Sequence, residues 1–282
     1  MIPQFHEDLV ASANSLPPLP QTVCRLNEIL ADPEYDLGQV ISTLEIDGVL
    51  IGKLLKLANS AVYGQRPVTG VRQAVIRLGE GTVKAVAIAA SLRPPKAIDL
   101  SAFGLTPDSY WQHSIAVMCF AEALAALSVA DFTMDFPTAG LFHDFGKLVL
   151  SKHLTPAHVL ALENLSPMLR PVDREHAVLT VNHAEVTALV SQAWKLPDSL
   201  RLAVQYHHAP SDCGSPMCHG LNLANQLAWR LEERESEHET DIAVKAESLN
   251  ALGVTEEQLE AAYFDGLERF ESAQECFTAG SA

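Results

Sequence analysis

Basic charge is scarce in this chain: 19 Lys and Arg stand against 35 Asp and Glu, a formal net charge of −16 over 282 residues. A surface of that sign repels phosphate backbones and anionic lipid, so neither nucleic acid nor a membrane is expected as a partner. Long apolar runs are also missing. The longest, "VKAVAIAASL" at 83–92, is too short to span a bilayer. The opening "MIPQFHEDLVASANSLPPLPQ" lacks the basic start and apolar stretch of a secretion signal. The five cysteines (Cys24, Cys119, Cys213, Cys218, Cys276) are scattered and odd in number, which argues against a disulfide framework. Reduced thiols in a cytoplasm are expected. Cys213 and Cys218, followed by His219, faintly resemble a zinc clip, but no second Cys pair exists and a loop is the simpler reading. Strand signals fail as well: no short window keeps period-two alternation with β-branched enrichment.

What remains is helical. Hydrophobic residues at 48% against 19% charged place the chain among folded globular proteins, long enough for one large or two ordinary domains. "TVCRLNEILAD" puts Val23, Leu26, Ile29 and Leu30 on one helix face. "LGQVISTLEI" and "VLIGKLLKLANSAVYG" follow, with Gly64 as the expected stop of the latter. "VRQAVIRLGEGTVKAVAIAASLR" reads as two helices broken at Gly79-Glu80-Gly81. A proline-rich joint, "RPPKAIDLSAFGLTPDS" at 93–109, separates this part from "SYWQHSIAVMCFAEALAAL" and "PTAGLFHDFGKLVLSKH", each expected as one helix. "HAEVTALVSQAWKL" and "PDSLRLAVQYHH" form a pair, with Pro197 expected in the first turn of the second. "LNLANQLAWRLEERESEHE" and "TEEQLEAAYFDGLERFESAQ" close the chain, whose last 50 residues are acidic and amphipathic, an expected solvated outer layer. The fold class is all-α.

Histidines carry the chemistry. His113, His143 and His183 lie on segments with large apolar stripes, where a core-facing metal site would be built. Val186 and Val190 share the side of His183, so that imidazole points inward. Each histidine taken alone also fits a hydrogen-bonded core residue. With 11 His and 14 Asp in 282 residues, chance supplies about half a His-Asp pair, so His143-Asp144 decides nothing by itself. Adjacent helical residues diverge by about 100° and cannot share a face unless the helix ends or kinks between them. Gly146 after His143-Asp144, and Pro210 after His207-His208, suit such an end.

The succession His113, His143-Asp144, His183, His207-His208 resembles the HD superfamily of helical metal-dependent phosphohydrolases, and "HDFGK" looks like the core of its HD-GYP branch. The paired "LP" motifs at Leu16–Pro20, "KLLKLANSAVYG" at 53–64, "RLG" at 77–79 and "NHAEVTALVSQAWKLPDSLRLAVQYHHAP" are similar to the HDOD domain, the HD-related output domain of bacterial signalling proteins. The resemblance runs over roughly residues 15–230. It implies an HD-like bundle at 99–236, preceded by an N-terminal helical part at 1–98 and followed by acidic helices at 237–282. It implies metal-ligand positions at His113, His143, Asp144, His183, His207 and His208, for one divalent ion (Fe, Mn or Zn) and no organic cofactor. Arg77, Asn59, Ser60 and Tyr63 match family motifs and are expected to tie helices of the front half together.

The pattern departs from a working hydrolase in three places. The closing aspartate of the family falls on Asn225, a neutral and weaker donor to a hard cation. The acid sometimes found four residues before the first histidine falls on Ser109, beside Asp108. "HHAPSDCGSPMCHG" stands where a GYP segment would follow the His pair. Among the matched positions only Asp144 brings negative charge, too little for a dinuclear site. Lys147 reads either as a phosphate contact or as a solvated residue near a helix C-terminus. Three functions follow from this. The first is a signalling module acting through contacts with other signalling proteins, its HD-type pocket degenerate. The second is a phosphohydrolase of a nucleotide or other phosphorylated small molecule, with Asp144 and Lys147 as its catalytic residues. The third is a metal-free helical adaptor. The oligomeric state stays open.

Overall fold

Local signals set most helix starts. The computed structural model describes residues 2–128, 130, 132–166, 169–232 and 242–278, and every regular element among them is helical. The front half holds α1 (Ile2–Ser15), α2 (Gln21–Leu30), α3 (Leu37–Leu44), α4 (Gly48–Ala58), α5 (Val71–Leu78) and α6 (Glu80–Leu92). Asp36 caps α3 by accepting from the Gly38 N–H, and Asp47 caps α4 by accepting from Val49 and Leu50. Each such cap stabilises a helix start by about 1 kcal/mol. The break between α5 and α6 is narrower than the sequence suggests: Gly79 alone turns the chain, at φ 77°, and Glu80 and Gly81 already belong to α6. α4 stops before Asn59 rather than at Gly64, because the Asn59 amide caps it and then bridges to Val68.

The second half holds α7 (Pro107–Leu127), α8 (Phe136–Phe142), α9 (Phe145–Leu150), α10 (Pro156–Glu163), α11 (Pro171–Leu179), α12 (His183–Ala193), α13 (Asp198–Tyr206) and α14 (Pro216–Leu231). α15 (Ile242–Leu252) and α16 (Glu256–Thr278) complete the described residues. Pro107 opens α7 behind a reciprocal Thr106–Ser109 cap, and Asn182–Glu185 does the same for α12. Pro197 is the residue before α13 rather than part of its first turn. "PTAGLFHDFGKLVL" is two helices, not one, and the interruption falls on His143-Asp144.

α7 is apolar on almost every side, the mark of a central helix: residues from Tyr110 to Leu124 are buried, with Gln112 the exception. α8, α14 and α16 pack around it. The apolar core runs without interruption from Leu9 on α1 to Phe277 on α16. It therefore crosses the 93–109 joint, and the expected boundary at 236 lies outside the described residues. Two buried polar links cross the same joint. Lys84 on α6, 2% exposed, pairs with Asp135 at 2.5 Å. The Tyr63 hydroxyl donates to Glu122 of α7 at 2.6 Å, and Arg269 of α16 reaches the same carboxylate at 3.3 Å. Tyr63 thus serves the second half, whereas Arg77 and Asn59 tie the front half as expected, through Ala58, Arg66 and Val68. The acidic C-terminal helix is solvated on one side only; Phe270, Ala273 and Phe277 are buried.

Candidate metal centre

Two adjacent pairs can face one centre because both sit where a helix stops. Asp144 has φ −98° and ψ 6°, the bridge region between helix and strand, and it separates α8 from α9. His207 ends α13, and His208 follows in the turn. α9 is then pressed against α12. The Gly146 N–H donates to the Thr187 hydroxyl at 2.8 Å, and that hydroxyl lies 3.0 Å from the His143 carbonyl and 2.8 Å from the His183 carbonyl. A Cβ at position 146 would lie 2.0 Å from the His183 oxygen, so only glycine permits this approach.

The imidazoles are oriented from behind. The Nδ1 of His143 donates to the Gly140 carbonyl at 2.8 Å and that of His207 to the Val204 carbonyl at 2.7 Å. The Nδ1 of His183 meets Glu175 at 2.7 Å, and that of His113 meets Glu232 at 2.6 Å. Fixing Nδ1 as the donor leaves Nε2 with a free lone pair, the form in which histidine binds a metal. In two of the four, His143 and His207, Nε2 is buried with no hydrogen-bond partner, and so is Oδ1 of Asn225. Asp144 bridges the set: its Oδ1 is 3.1 Å from Nε2 of His183 and its Oδ2 is 3.5 Å from Nε2 of His143. His208 approaches His183 at 3.0 Å between Nε2 atoms.

Two groups of donors result, His113–His143–Asp144 and His183–His207–His208, with the ligand atoms of each within 4.8 Å of one another. All six residues named from the sequence therefore converge, and Asn225, 2% exposed, lines the same cavity as His113, Asp144, His183 and His208. Their protonation suits a cation. Burial pushes His143 down to about 3 and holds His207 and His208 well below the usual histidine range. Burial opposes the ionisation of Asp144, but His143, Lys147 and His183 outweigh it and keep the carboxyl well below its ordinary value. His183 is raised instead, because Glu175 and then Asp144 overcome the effect of burial. Three imidazoles held neutral, one ionised carboxylate and three orphaned buried atoms are a donor set that fits a divalent metal ion.

Two carboxylates outside the matched positions stand behind the rings: Glu175 and Glu232 supply negative charge behind His183 and His113. Glu175 reaches back because Thr180, in the left-handed region at φ 61°, turns the chain between α11 and α12. Ser109 and Asp108 add no acid: Ser109 is spent on the cap of α7, and Asp108 faces Arg93 at 3.3 Å. Lys147 sits in the last turn of α9 and lines the cavity, but it is not a solvated residue. Its ammonium lies 2.6 Å from Asp144, and the side chain is only 14% exposed. Cys213, Cys218 and His219 form no metal-type group among the described residues, and His219 faces Ser248. Above the histidines opens a cavity of about 960 Å³ that reaches Lys147, Arg174, Trp229 and Phe270. Among the described residues, no helix is long and apolar enough to cross a membrane.

An all-α domain closed around a histidine–aspartate centre of HD type is the class that fold and site define. Comparison with known proteins narrows it, since the HDOD domain model matches residues 16–210. The chain belongs to the HDOD domain family. An HDOD domain protein of unknown function from Geobacter sulfurreducens superposes with a TM-score of 0.71 at 21% identity, covering 96% of this chain and 99% of its own. A protein from Marinobacter aquaeolei VT8, named provisionally for signal transduction, is 25% identical with a TM-score of 0.69 over 95% of this chain and 64% of its own. An uncharacterized protein of Treponema pallidum (strain Nichols) is 24% identical over 200 residues, 69% of this chain; the chain spans only 38% of that relative's length.

Proposed function

We propose that this chain is a regulatory HDOD module that holds one divalent ion, Fe, Mn or Zn, and acts through contacts with other signalling proteins in the cytoplasm. The observation that carries the metal reading is the orientation of the rings. Four imidazoles have Nδ1 committed to an acceptor, and the Nε2 atoms of His143 and His207, like the Asn225 Oδ1, are buried without hydrogen-bond partners. Leaving such groups dry and unpaired costs free energy that a bound ion returns. His113, His143, Asp144, His183, His207 and His208 would hold the ion, with Asn225 beside them. The ion would supply a Lewis acid and an activated water.

The chain's own residues argue for weak turnover. Asn225 offers an amide where the family places an acid, and Lys147, though it lines the cavity, has its ammonium paired with Asp144. Asp144, paired and held ionised, is a poor proton acceptor beyond its part as a ligand. The −16 charge and the name of the Marinobacter relative support a protein partner rather than nucleic acid or membrane.

Metal analysis of untagged protein tests the first half of this reading. Near-stoichiometric Fe, Mn or Zn is expected, lost in His143→Ala; no metal in either protein would leave a metal-free adaptor. Hydrolysis of aryl phosphates and nucleotides with added Mn²⁺ tests the second half. Wild type is expected to be inactive or nearly so, with Asn225→Asp gaining turnover. Robust wild-type turnover abolished by Asp144→Ala would make the protein a phosphohydrolase instead.

A further inference from the structure

Among the described residues, the cavity is lined by one cation that the histidine centre does not use. Arg174 stands on α11, next to Glu175, and its side chain lines the cavity. Its Nε is buried and has no hydrogen-bond partner. Among the described residues no carboxylate comes within 4.0 Å of its guanidinium, whereas Lys147 is paired with Asp144. Glu175 is bound to both the backbone and the ring of His183, and Glu232 meets His113. A guanidinium stays charged at any working pH, offers five donors and accepts nothing. The two terminal nitrogens of Arg174 are not buried and have no partner among the described residues, so they are open to an acceptor brought from outside.

The space beside it is too large for a bare ion. The cavity of about 960 Å³ counts Phe103, Leu105, Leu162, Trp229 and Phe270 among its lining residues. Trp229 lies nearly parallel to the His208 ring, at 19° and 6.4 Å between centroids, so a flat aromatic face borders the histidine centre. A fixed cation and aromatic lining residues in one cavity suit an amphiphilic organic anion.

We propose that Arg174 is an oxyanion-binding residue, and that the cavity takes a small organic phosphate or carboxylate whose head pairs with this guanidinium and whose body lies against Phe103, Trp229 and Phe270. This rests on reading the cavity as a binding site, but not on the metal. It gives the signalling module a ligand to sense.

Calorimetric titration of the full chain with phenyl phosphate, benzoate and inorganic phosphate tests it, each with metal-loaded and chelator-treated protein. Phenyl phosphate or benzoate is expected to bind, and the stronger of the two identifies the head group. Inorganic phosphate is expected to bind more weakly than phenyl phosphate, since it lacks the apolar body. Arg174→Gln should weaken binding at least tenfold, Arg174→Lys less, with metal content and melting temperature unchanged in both. Equal affinity in wild type and Arg174→Gln overturns the proposal, as does no binding of either aryl probe. Metal uptake without probe binding sinks this inference and leaves the metal reading standing. Probe binding through Arg174 in a chain that takes no metal does the reverse.

Discussion

Replacing Gly146 with alanine should damage the fold and the centre together. The new Cβ would lie 2.0 Å from the His183 oxygen, and 2.9 Å from both the His183 carbonyl carbon and the Thr187 nitrogen. All three are backbone atoms of α12, so no side-chain rotation relieves the overlap. Carbon contacts relax only near 3.5 Å, so α9 must retreat from α12 by more than about 1 Å. The retreat breaks the 2.8 Å bond from the Gly146 N–H to Thr187. That loss costs about 1 kcal/mol. Forcing a methyl group into a packed contact adds about 1–3 kcal/mol. A total of roughly 2–4 kcal/mol is expected in urea unfolding. The 3.1 Å approach of Asp144 to His183 opens at the same time, so affinity for Zn²⁺ or Mn²⁺ in a chelator competition should fall too. Gly52→Ala is the control. That residue is inside α4 with nothing within 4 Å of its Cβ position. Helix propensity should make it more stable, by about 0.5–1 kcal/mol. A Gly146→Ala protein as stable as wild type, with unchanged metal affinity, would refute the claim that the α9–α12 contact sets the centre.

Two other outcomes follow from the same geometry. Glu175→Gln keeps the shape behind His183 but removes the charge, and metal affinity should drop about tenfold in competition with a fluorescent chelator; an unchanged affinity would show that the carboxylate does not support the ring. Stability of the metal-free protein should depend on pH. Burial holds His143 near 3, against about 6.5 in an unfolded chain. Between those values the unfolded state binds more protons, so this contribution is complete above pH 6.5 and is lost as the pH falls toward 3, at most about 5 kcal/mol. His207 and His208, lowered for the same reason, act in the same sense, while the raised His183 opposes them. Urea unfolding at pH 7 and pH 5 with chelator present reads the sum, and a flat profile would contradict it.

Much of this was legible in the sequence because it is written locally. Apolar spacing exposed the helices, and the order of His113, His143-Asp144, His183 and His207-His208 exposed the centre. The break at His143-Asp144 was readable only as a condition, that two neighbours must sit at a helix end to share a site. The backbone meets that condition within a stretch of continuous helical character, where periodicity gives no warning. Glu175 is eight residues from His183 and Glu232 is 119 from His113. No periodic pattern links residues across a left-handed turn or between distant helices, so both carboxylates were missed. Arg174 was missed for a related reason: what distinguishes it is an absence of partners, which no sequence displays.

The recognisable family segment ends at residue 210, yet the cavity is not closed there. Trp229, Glu232 and Phe270 all lie beyond it, and Phe270 belongs to the helix laid against α7, where the Cβ position of Gly266 is 2.2 Å from the Phe120 ring. The matched segment therefore supplies most of the lining, while the tail supplies the rest. A relative with the same matched segment and a different tail would keep its imidazoles and admit different guests. Exchanging tails between relatives would be the direct way to re-tune what this pocket accepts, with every histidine left in place.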